Sequence, residues 1–350
     1  MQSALKTRVR RTLGLALSGA VALGASMTIV AQGVQINGAG ATFPNPIYSK
    51  WFSEYGKLNP NVMINYQSIG SGGGIRQLSN QTVFFGATDA PMTVEQMQNA
   101  PGKILHLPTV LGAVVPVYNI PEVKGEMKFS GQVLADIFLG KITKWNDPAI
   151  AKINAGVSLP ATDITVVHRS EGSGTSFIFV DFLAKTSPEW KQKVGVAASV
   201  NWPVGLGGKG NEGVSGLVSQ TPGSIGYVEL IYAIQNKIAY GSVQNSEGEF
   251  VRASIEAVTA AAAAAVKAMP KDFRVSITNA PGKGVYPLSS FTWILLYENP
   301  KDKQQSKMMV EFMKWALSDG QKFASNLGYA PLPAEIVKLE LAALATIKVS

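Results

Sequence analysis

The chain has 350 residues, of which 46% are apolar and 15% are charged, and its formal net charge is +8. The number of apolar residues is ample for a packed core, and the length fits one large domain or two ordinary ones. The absence of cysteine excludes a metal site built on thiolates and a lipid anchor on an N-terminal cysteine.

Residues 1–33 have the pattern of a secretory signal peptide. Four basic residues between Lys6 and Arg11 precede a small, apolar stretch from Leu13 to Val30, and polar sequence follows. Cleavage is expected near Ala31. Removal of this segment lowers the excess of basic over acidic residues from 31 − 23 = +8 to 27 − 23 = +4. We therefore expect a soluble periplasmic protein whose charge suits an anion but is too small to predict nucleic-acid binding.

The remaining chain alternates short apolar strands with helical patterns, which predicts an α/β fold. Strands are predicted at 35–38, 62–67, 83–87, 107–120, 164–168 and 290–297. Helices are predicted at 46–58, 75–80, 130–139, 177–185, 255–268 and 306–317, and a capping box at 93–96 predicts the start of another. The long strand at 107–120 is a candidate crossover between two lobes.

A turn rich in Gly, Ser and Thr occurs three times between a predicted strand and a predicted helix. The three stretches are GAGATFPNP (38–46), SIGSGGGIR (68–76) and RSEGSGTSF (169–177). A helix start offers unpaired N–H groups and the positive end of the helix dipole, and glycine lets the backbone approach an anion closely. In an open α/β sheet such turns meet at one edge. Together with Arg169 they predict a site for a small oxyanion.

Asp89 lies among these donors and has two interpretations. In isolation it is a cap or turn residue before Pro91. Inside an oxyanion site, an ionised carboxylate can only accept a hydrogen bond, so it favours an anion that carries a proton. Phosphate keeps a P–OH group near neutral pH, whereas sulfate has none, and the carboxylate would therefore reject sulfate.

Motifs for catalysis are incomplete. The run Gly205–Gly210 resembles a P-loop but lacks its first glycine and the Ser or Thr after Lys209, and Ser71 lacks the glycine that a nucleophile elbow requires. The two histidines, His106 and His168, lie in apolar runs and are expected in the core or at its rim. A histidine triad or metal site is hard to build from them.

Seven motifs resemble, in order, the periplasmic phosphate-binding proteins of ABC-type phosphate importers. They are GAGATFPNPIYSKW, GSGGGIRQL, FGATDAPM, LGKITKWNDPAI, RSEGSGTSF, NWPVGLGGKGNEGV and GSIGYVE. The resemblance runs from about residue 35 to the C-terminus and is looser between about 241 and 283. It implies an α/β, type II-like fold of two lobes around a ligand cleft, with lobe I at 34–110 plus 286–350 and lobe II at 111–285.

The resemblance also implies the function and the site residues. It implies a monomer that binds inorganic phosphate without a cofactor or metal, is not an enzyme, and passes its ligand to the permease subunits of the importer. The implied phosphate contacts are Thr42, Phe43, Ser71, Asp89, Arg169, Ser173, Gly174 and Thr175. Glu171 departs from the family, which commonly has Asp there, and the longer side chain would change how the charge of Arg169 is offset.

Two other functions stay open. One is binding of another tetrahedral oxyanion, such as sulfate or molybdate, against which Asp89 weighs. The other is a secreted phosphate-ester hydrolase that uses the same donors, although the sequence shows no nucleophile–base pair for it.

Overall fold

The computed structural model describes residues 33–266 and 269–350. The strands are β1 (Val34–Gly40), β2 (Val62–Ser68), β3 (Phe85–Thr88), β4 (Ile104–Asn119), β5 (Lys128–Phe129), β6 (Thr165–Arg169), β7 (Leu206–Gly208), β8 (Ser224–Glu229), β9 (Ala239–Tyr240), β10 (Ser242–Gln244), β11 (Phe250–Val251) and β12 (Ser289–Tyr297). The predicted signal peptide lies outside the described residues except for Gly33, and stays a prediction.

Helices cover both faces of the strands. They are α1 (Asn45–Leu58), α2 (Ser71–Ser79), α3 (Val94–Asn99), α4 (Gly131–Phe138), α5 (Pro148–Ile153), α6 (Gly174–Thr186), α7 (Pro188–Lys193), α8 (Gly210–Gln220), α9 (Leu230–Gln235), α10 (Ile255–Val266), α11 (Lys303–Leu317) and α12 (Ala334–Leu344), with 3₁₀ turns η1 (Asp319–Phe323) and η2 (Ser325–Leu327). The predicted α/β class is confirmed.

The long strand β4 joins two parts of the main sheet. The strand order is β2-β1-β3-β12-β4-β8-β6-β7. Residues Ile104–Ala113 of β4 pair antiparallel with β12, and Val114–Asn119 pair antiparallel with β8. The predicted crossover strand therefore runs from one part of the sheet into the other, while the lobe boundaries at 110/111 and 285/286 stay a prediction.

Parallel pairing brings the helix starts to common edges of the sheet. In one part, β1 pairs parallel with β2 and β3; in the other, β6 pairs parallel with β8 and β7. Parallel strands end in the same direction, so the turns that follow them lie side by side. This topology positions the site.

Most element predictions are confirmed to within a few residues, and two of the differences at helix starts have the same cause. The predicted helices at 75–80 and 177–185 begin at Ser71 and Gly174 instead. The Gly/Ser/Thr residues that were predicted as loops are therefore the first helical turns. Gly70 makes this possible before α2, because its φ of 86° is a backbone conformation that favours glycine.

Candidate functional site

Four helices begin within one buried cluster at the ends of the strands. The sequence predicted three of these starts, α1 after β1, α2 after β2 and α6 after β6; the fourth is α8, which follows β7. We call the residues that meet there the helix-start cluster: Thr42, Phe43, Ser71, Asp89, Arg169, Ser173, Gly174, Thr175 and Asn211. All of them are buried, so the structure brings together every site residue that the sequence predicted.

The hydroxyl group of Ser71 connects the segment that carries Asp89 with the start of α6 at Gly174. Its Oγ accepts hydrogen bonds from the backbone N–H of Gly174 (3.1 Å) and of Asp89 (3.2 Å), and lies 3.5 Å from Asp89 Oδ2. Gly174 must be small here, since a Cβ on it would lie 2.5 Å from Asp89 Oδ2. Beside it, the N–H of Gly72 donates to the carbonyl of Gly172 (2.9 Å).

Several backbone donors of the cluster point at no protein acceptor. Among the described residues, the N–H groups of Phe43, Ser71 and Thr175 have no hydrogen-bond acceptor. Ser71 and Thr175 stand in the first turns of α2 and α6, where the intrahelical ladder has not yet begun. Buried N–H groups without a partner are rare in proteins, and here three of them belong to residues predicted as anion contacts.

Ser173 also has a structural role. It is the N-cap of α6, and its Oγ accepts a hydrogen bond from the N–H of Ser176 (3.1 Å). The hydroxyl proton of a capping serine is still free to be donated, because capping uses only the oxygen lone pair.

Asn211 is the residue of the cluster that sequence reasoning missed. Its Nδ2 donates to the hydroxyls of Thr42 (2.7 Å) and Thr175 (3.3 Å), and its Oδ1 accepts from the N–H of Glu229 (3.0 Å). It lies in the family motif NWPVGLGGKGNEGV, just after the run Gly205–Gly210 that resembles an incomplete P-loop. The available signal was the same as at the other three sites: a glycine-rich turn between a strand and a helix.

Arg169 brings the positive charge into the cluster and is tethered within it. The residue is 2% exposed, and its Nη1 donates to Thr175 Oγ1 (3.2 Å). Its Nε donates to Glu171 Oε1 (3.0 Å), and Nη2 forms an ion pair with the same oxygen. Glu171 Oε1 also accepts from the N–H of Gly210 (3.1 Å), so this acid fixes the guanidinium and the start of α8 together.

Asp89 is 1% exposed and is held by hydroxyl groups. Its Oδ1 accepts a hydrogen bond from Thr292 Oγ1 (2.8 Å), at a point where the register between β12 and β4 shifts. Burial raises the pKa of Asp89 to about 7, against the opposing effects of the Thr292 hydrogen bond and the positive charge of Arg169. The sequence analysis assumed an ionised carboxylate, whereas in the structure burial shifts this group toward its protonated form.

The two histidines lie where the sequence predicted, and neither belongs to the cluster. His106 is buried and its Nε2 accepts from the N–H of Met92 (3.1 Å); burial lowers its pKa to about 3. His168 stacks on Trp202 with ring centroids 4.9 Å apart. Within residues 33–266 and 269–350, no group of three or more His, Asp or Glu side chains is placed to hold a metal ion.

Comparison with known proteins agrees with this geometry. The sequence model of the PBP superfamily domain matches residues 26–320. Phosphate-binding protein PstS of Xylella fastidiosa (strain Temecula1) is 49% identical over 308 residues, which are 88% of this chain and 84% of the relative. PstS of Pasteurella multocida (strain Pm70) is 48% identical over 314 residues, covering 89% of this chain and 90% of the relative.

A solved phosphate-binding protein from Stenotrophomonas maltophilia has a similar fold. It superposes with a TM-score of 0.68 at 20% identity, over 89% of this chain and 94% of that chain. The fold is therefore that of the two-lobed periplasmic binding proteins, as the sequence predicted. With relatives of this identity along most of its length, the chain belongs to the PstS family of phosphate-binding proteins within the PBP superfamily.

Proposed function

We propose that this protein binds inorganic phosphate in the periplasm and delivers it to the permease subunits of an ABC-type importer. The observation that carries the binding proposal is the set of buried N–H groups of Phe43, Ser71 and Thr175 around a single tethered arginine. Helix starts supply such donors with a favourable dipole, and together they suit a compact, multiply charged oxyanion. We take the anion to be phosphate because the relatives are named phosphate-binding proteins.

In this proposal the eight predicted residues contact the anion. Thr42, Ser71, Ser173 and Thr175 donate through hydroxyl groups, Arg169 donates through its guanidinium, and backbone N–H groups come from Thr42, Phe43, Ser71, Gly174 and Thr175. Gly174 now donates to Ser71 Oγ, so anion binding would exchange that acceptor for an anion oxygen. Charge-assisted hydrogen bonds of this kind are about twice as strong as neutral ones.

Asp89 selects phosphate through one proton. Above pH 7 the carboxylate accepts the P–OH of HPO₄²⁻, and sulfate meets an unpaired negative charge. Sulfate can bind without that repulsion only when Asp89 itself is protonated. Binding therefore requires one proton, held by either the Asp89 carboxyl group or the anion. Above pH 7 the phosphate ion supplies this proton.

Delivery follows from the family. Lobe closure on the ligand and opening at the membrane are the hinge motion of periplasmic binding proteins. A monomer with a cleaved signal peptide fits this role. Within the described residues, no helix has the length and apolar character to cross a membrane.

The binding test is calorimetric titration of the purified protein with phosphate, sulfate and molybdate at pH 8. We expect phosphate to bind more tightly than sulfate by a factor of roughly 10⁴, because a site built for one hydrogen bond rejects an analogue that lacks it by this order. Equal affinities would remove the proposed role of Asp89. A chromogenic phosphate ester in the same buffer tests the hydrolase alternative, for which we expect no turnover.

A further inference from the structure

Three tyrosine hydroxyls hold three consecutive carbonyl groups in the turn between β1 and α1. Tyr66 Oη donates to the carbonyl of Ala41 (2.7 Å), Tyr232 Oη to that of Thr42 (2.7 Å), and Tyr329 Oη to that of Phe43 (2.6 Å). The tyrosines come from distant parts of the chain, β2, α9 and the segment after η2. Three separate elements thus converge on one four-residue turn.

A planar trans peptide links each of these carbonyls to the next N–H group. In such a peptide the C=O and the N–H point in opposite directions. The carbonyl held by Tyr66 belongs to the peptide that carries the N–H of Thr42, and the carbonyl held by Tyr232 to the peptide that carries the N–H of Phe43. The third peptide precedes Pro44, which has no N–H.

We propose that Tyr66 and Tyr232 are positioning residues for anion binding, which turn the N–H groups of Thr42 and Phe43 toward the phosphate. The inference rests on the proposed function, since it needs an anion in the helix-start cluster. Tyr329 makes the same kind of bond to a peptide without an N–H group. It therefore directs no donor toward the anion.

The chemistry of the three phenols suits this task. Burial raises the pKa of each hydroxyl above its ordinary value, so each stays protonated and able to donate. A donor on the carbonyl polarises the peptide and strengthens its N–H, because linked hydrogen bonds reinforce one another. The N–H groups are thus both oriented and made better donors.

Tyr232 differs from Tyr66 in what it connects. It lies in predicted lobe II, whereas Thr42 lies in predicted lobe I. Its hydroxyl also approaches Glu212 Oε1 (3.1 Å), and the carbonyl of Thr42 also accepts from the N–H of Asn45 (3.2 Å). The bond from Asn45, which lies in the same turn, therefore already holds the carbonyl of Thr42 in part. Tyr232 adds a shorter bond from predicted lobe II. We expect its loss to speed phosphate release as well as weaken binding.

The test compares four Tyr→Phe variants of the full protein by phosphate calorimetry and stopped-flow dissociation. Tyr66→Phe and Tyr232→Phe should each raise the Kd about three- to tenfold, the range for one neutral hydrogen bond, and Tyr232→Phe should also raise the dissociation rate. Tyr329→Phe is the internal control, and Tyr297→Phe, whose hydroxyl donates to the carbonyl of Leu78 (2.9 Å), is the distant one. Both controls should lose thermal stability while their Kd stays within about twofold of wild type.

A second measurement begins with wild-type protein, so its first part does not depend on the variants folding. In wild-type protein, phosphate should move the amide proton signals of Thr42 and Phe43 downfield, and the shift should shrink in Tyr66→Phe and Tyr232→Phe. The proposal is overturned if these two amides do not respond to phosphate, or if all four folded variants share the wild-type Kd. Failure of wild type to bind phosphate would instead overturn the proposed function.

Discussion

Asp89 and Arg169 are buried to the same degree and lie in the same cluster, yet the environment stabilises the charged form of Arg169 and disfavours the charged form of Asp89. Arg169 has a carboxylate partner, Glu171, which accepts from both Nε and Nη2. Asp89 is held by the hydroxyls of Thr292 and Ser71, and its pKa rises to about 7. The positive charge of Arg169 is therefore offset by a neighbouring carboxylate, whereas burial shifts Asp89 toward its neutral, protonated form.

This difference indicates what the site uses to bind an anion. With its one arginine already paired, attraction must come from oriented N–H and O–H donors more than from net charge. We expect the uncompensated acid to cost stability in the phosphate-free protein and to distinguish anions by their protons. In this proposal Arg169 contributes affinity and Asp89 contributes selectivity, and each variant below separates the two.

The largest effect is expected on selectivity from Asp89→Asn. Asn is nearly isosteric and its amide can donate, so a fully deprotonated anion no longer meets a negative charge. The phosphate-to-sulfate affinity ratio at pH 8 should fall from roughly 10⁴ by at least two orders of magnitude, measured by competition titration.

The matched control is Asp147→Asn. Asp147 caps α5 through a hydrogen bond from Ala149 N (2.8 Å), and Asn caps as well as Asp, so this change should leave both affinities alone. An unchanged ratio in Asp89→Asn would mean that Asp89 is only a turn residue.

The same contrast predicts a pH dependence of sulfate binding. Above pH 7, sulfate must bind together with a proton taken up by Asp89, so its affinity should fall about tenfold for each further pH unit. Below pH 7 the carboxyl is already protonated and the affinity should level off. Titrations from pH 5 to 9 check this, and in Asp89→Asn the sulfate profile should be flat; a flat wild-type profile would contradict the assignment.

Stability of the phosphate-free protein should follow the same carboxyl. Folding raises the pKa of Asp89 from 3.8 to about 7, so its contribution is fully present below pH 4 and is lost as pH rises through 7. Relative to wild type, Asp89→Asn should therefore gain stability between pH 4 and 7, reaching about 4 kcal/mol at pH 8. Urea unfolding at several pH values measures this gain, and a pH-independent difference would be the contrary result.

Arg169→Ala should weaken phosphate binding by a smaller, pH-independent amount. A hydrogen bond to a charged group contributes about 1.5–3 kcal/mol, which is roughly ten- to a hundredfold in Kd. Backbone and hydroxyl donors remain, so binding should persist. Arg252→Ala is the control, because that side chain is 46% exposed and pairs with Glu126 away from the cluster. A Kd equal to that of wild type would place Arg169 outside the binding site.

The sequence predicted three of the four helix starts, because glycine-rich turns that follow parallel strands meet at one edge of the sheet, and the family resemblance implied the eight clustered residues. It did not predict the short strands β5, β7 and β9–β11, strand β8, or helices α5, α7–α9 and α12. It missed Asn211 and Thr292, whose roles depend on which side chains meet after folding. Thr292 follows from a register shift in a strand that reads only as a buried apolar run. The raised pKa of Asp89 was likewise inaccessible from the sequence, since it depends on burial and on the hydroxyls that surround the carboxyl.

Glu171→Gln is expected to have the smallest effect on phosphate affinity, and it tests most directly whether Glu171 offsets the charge of Arg169. Glu171→Gln keeps an oxygen that can accept from Arg169 Nε and from the N–H of Gly210, but it removes the negative charge. Arg169 would then act on the anion with less of its charge offset. Because the Glu171 side chain is 21% exposed, screening limits the gain, and we expect phosphate affinity to rise only about two- to fivefold, within the range of partly screened pairs. The gain should shrink between 0.02 and 0.5 M salt, as about a fivefold shorter Debye length implies. Glu171→Asp, which restores the residue common in the family, keeps the charge and should show no such salt-dependent gain. If Glu171→Gln instead weakens phosphate binding, the acid serves mainly to hold the guanidinium in place, and its charge does little to offset that of Arg169.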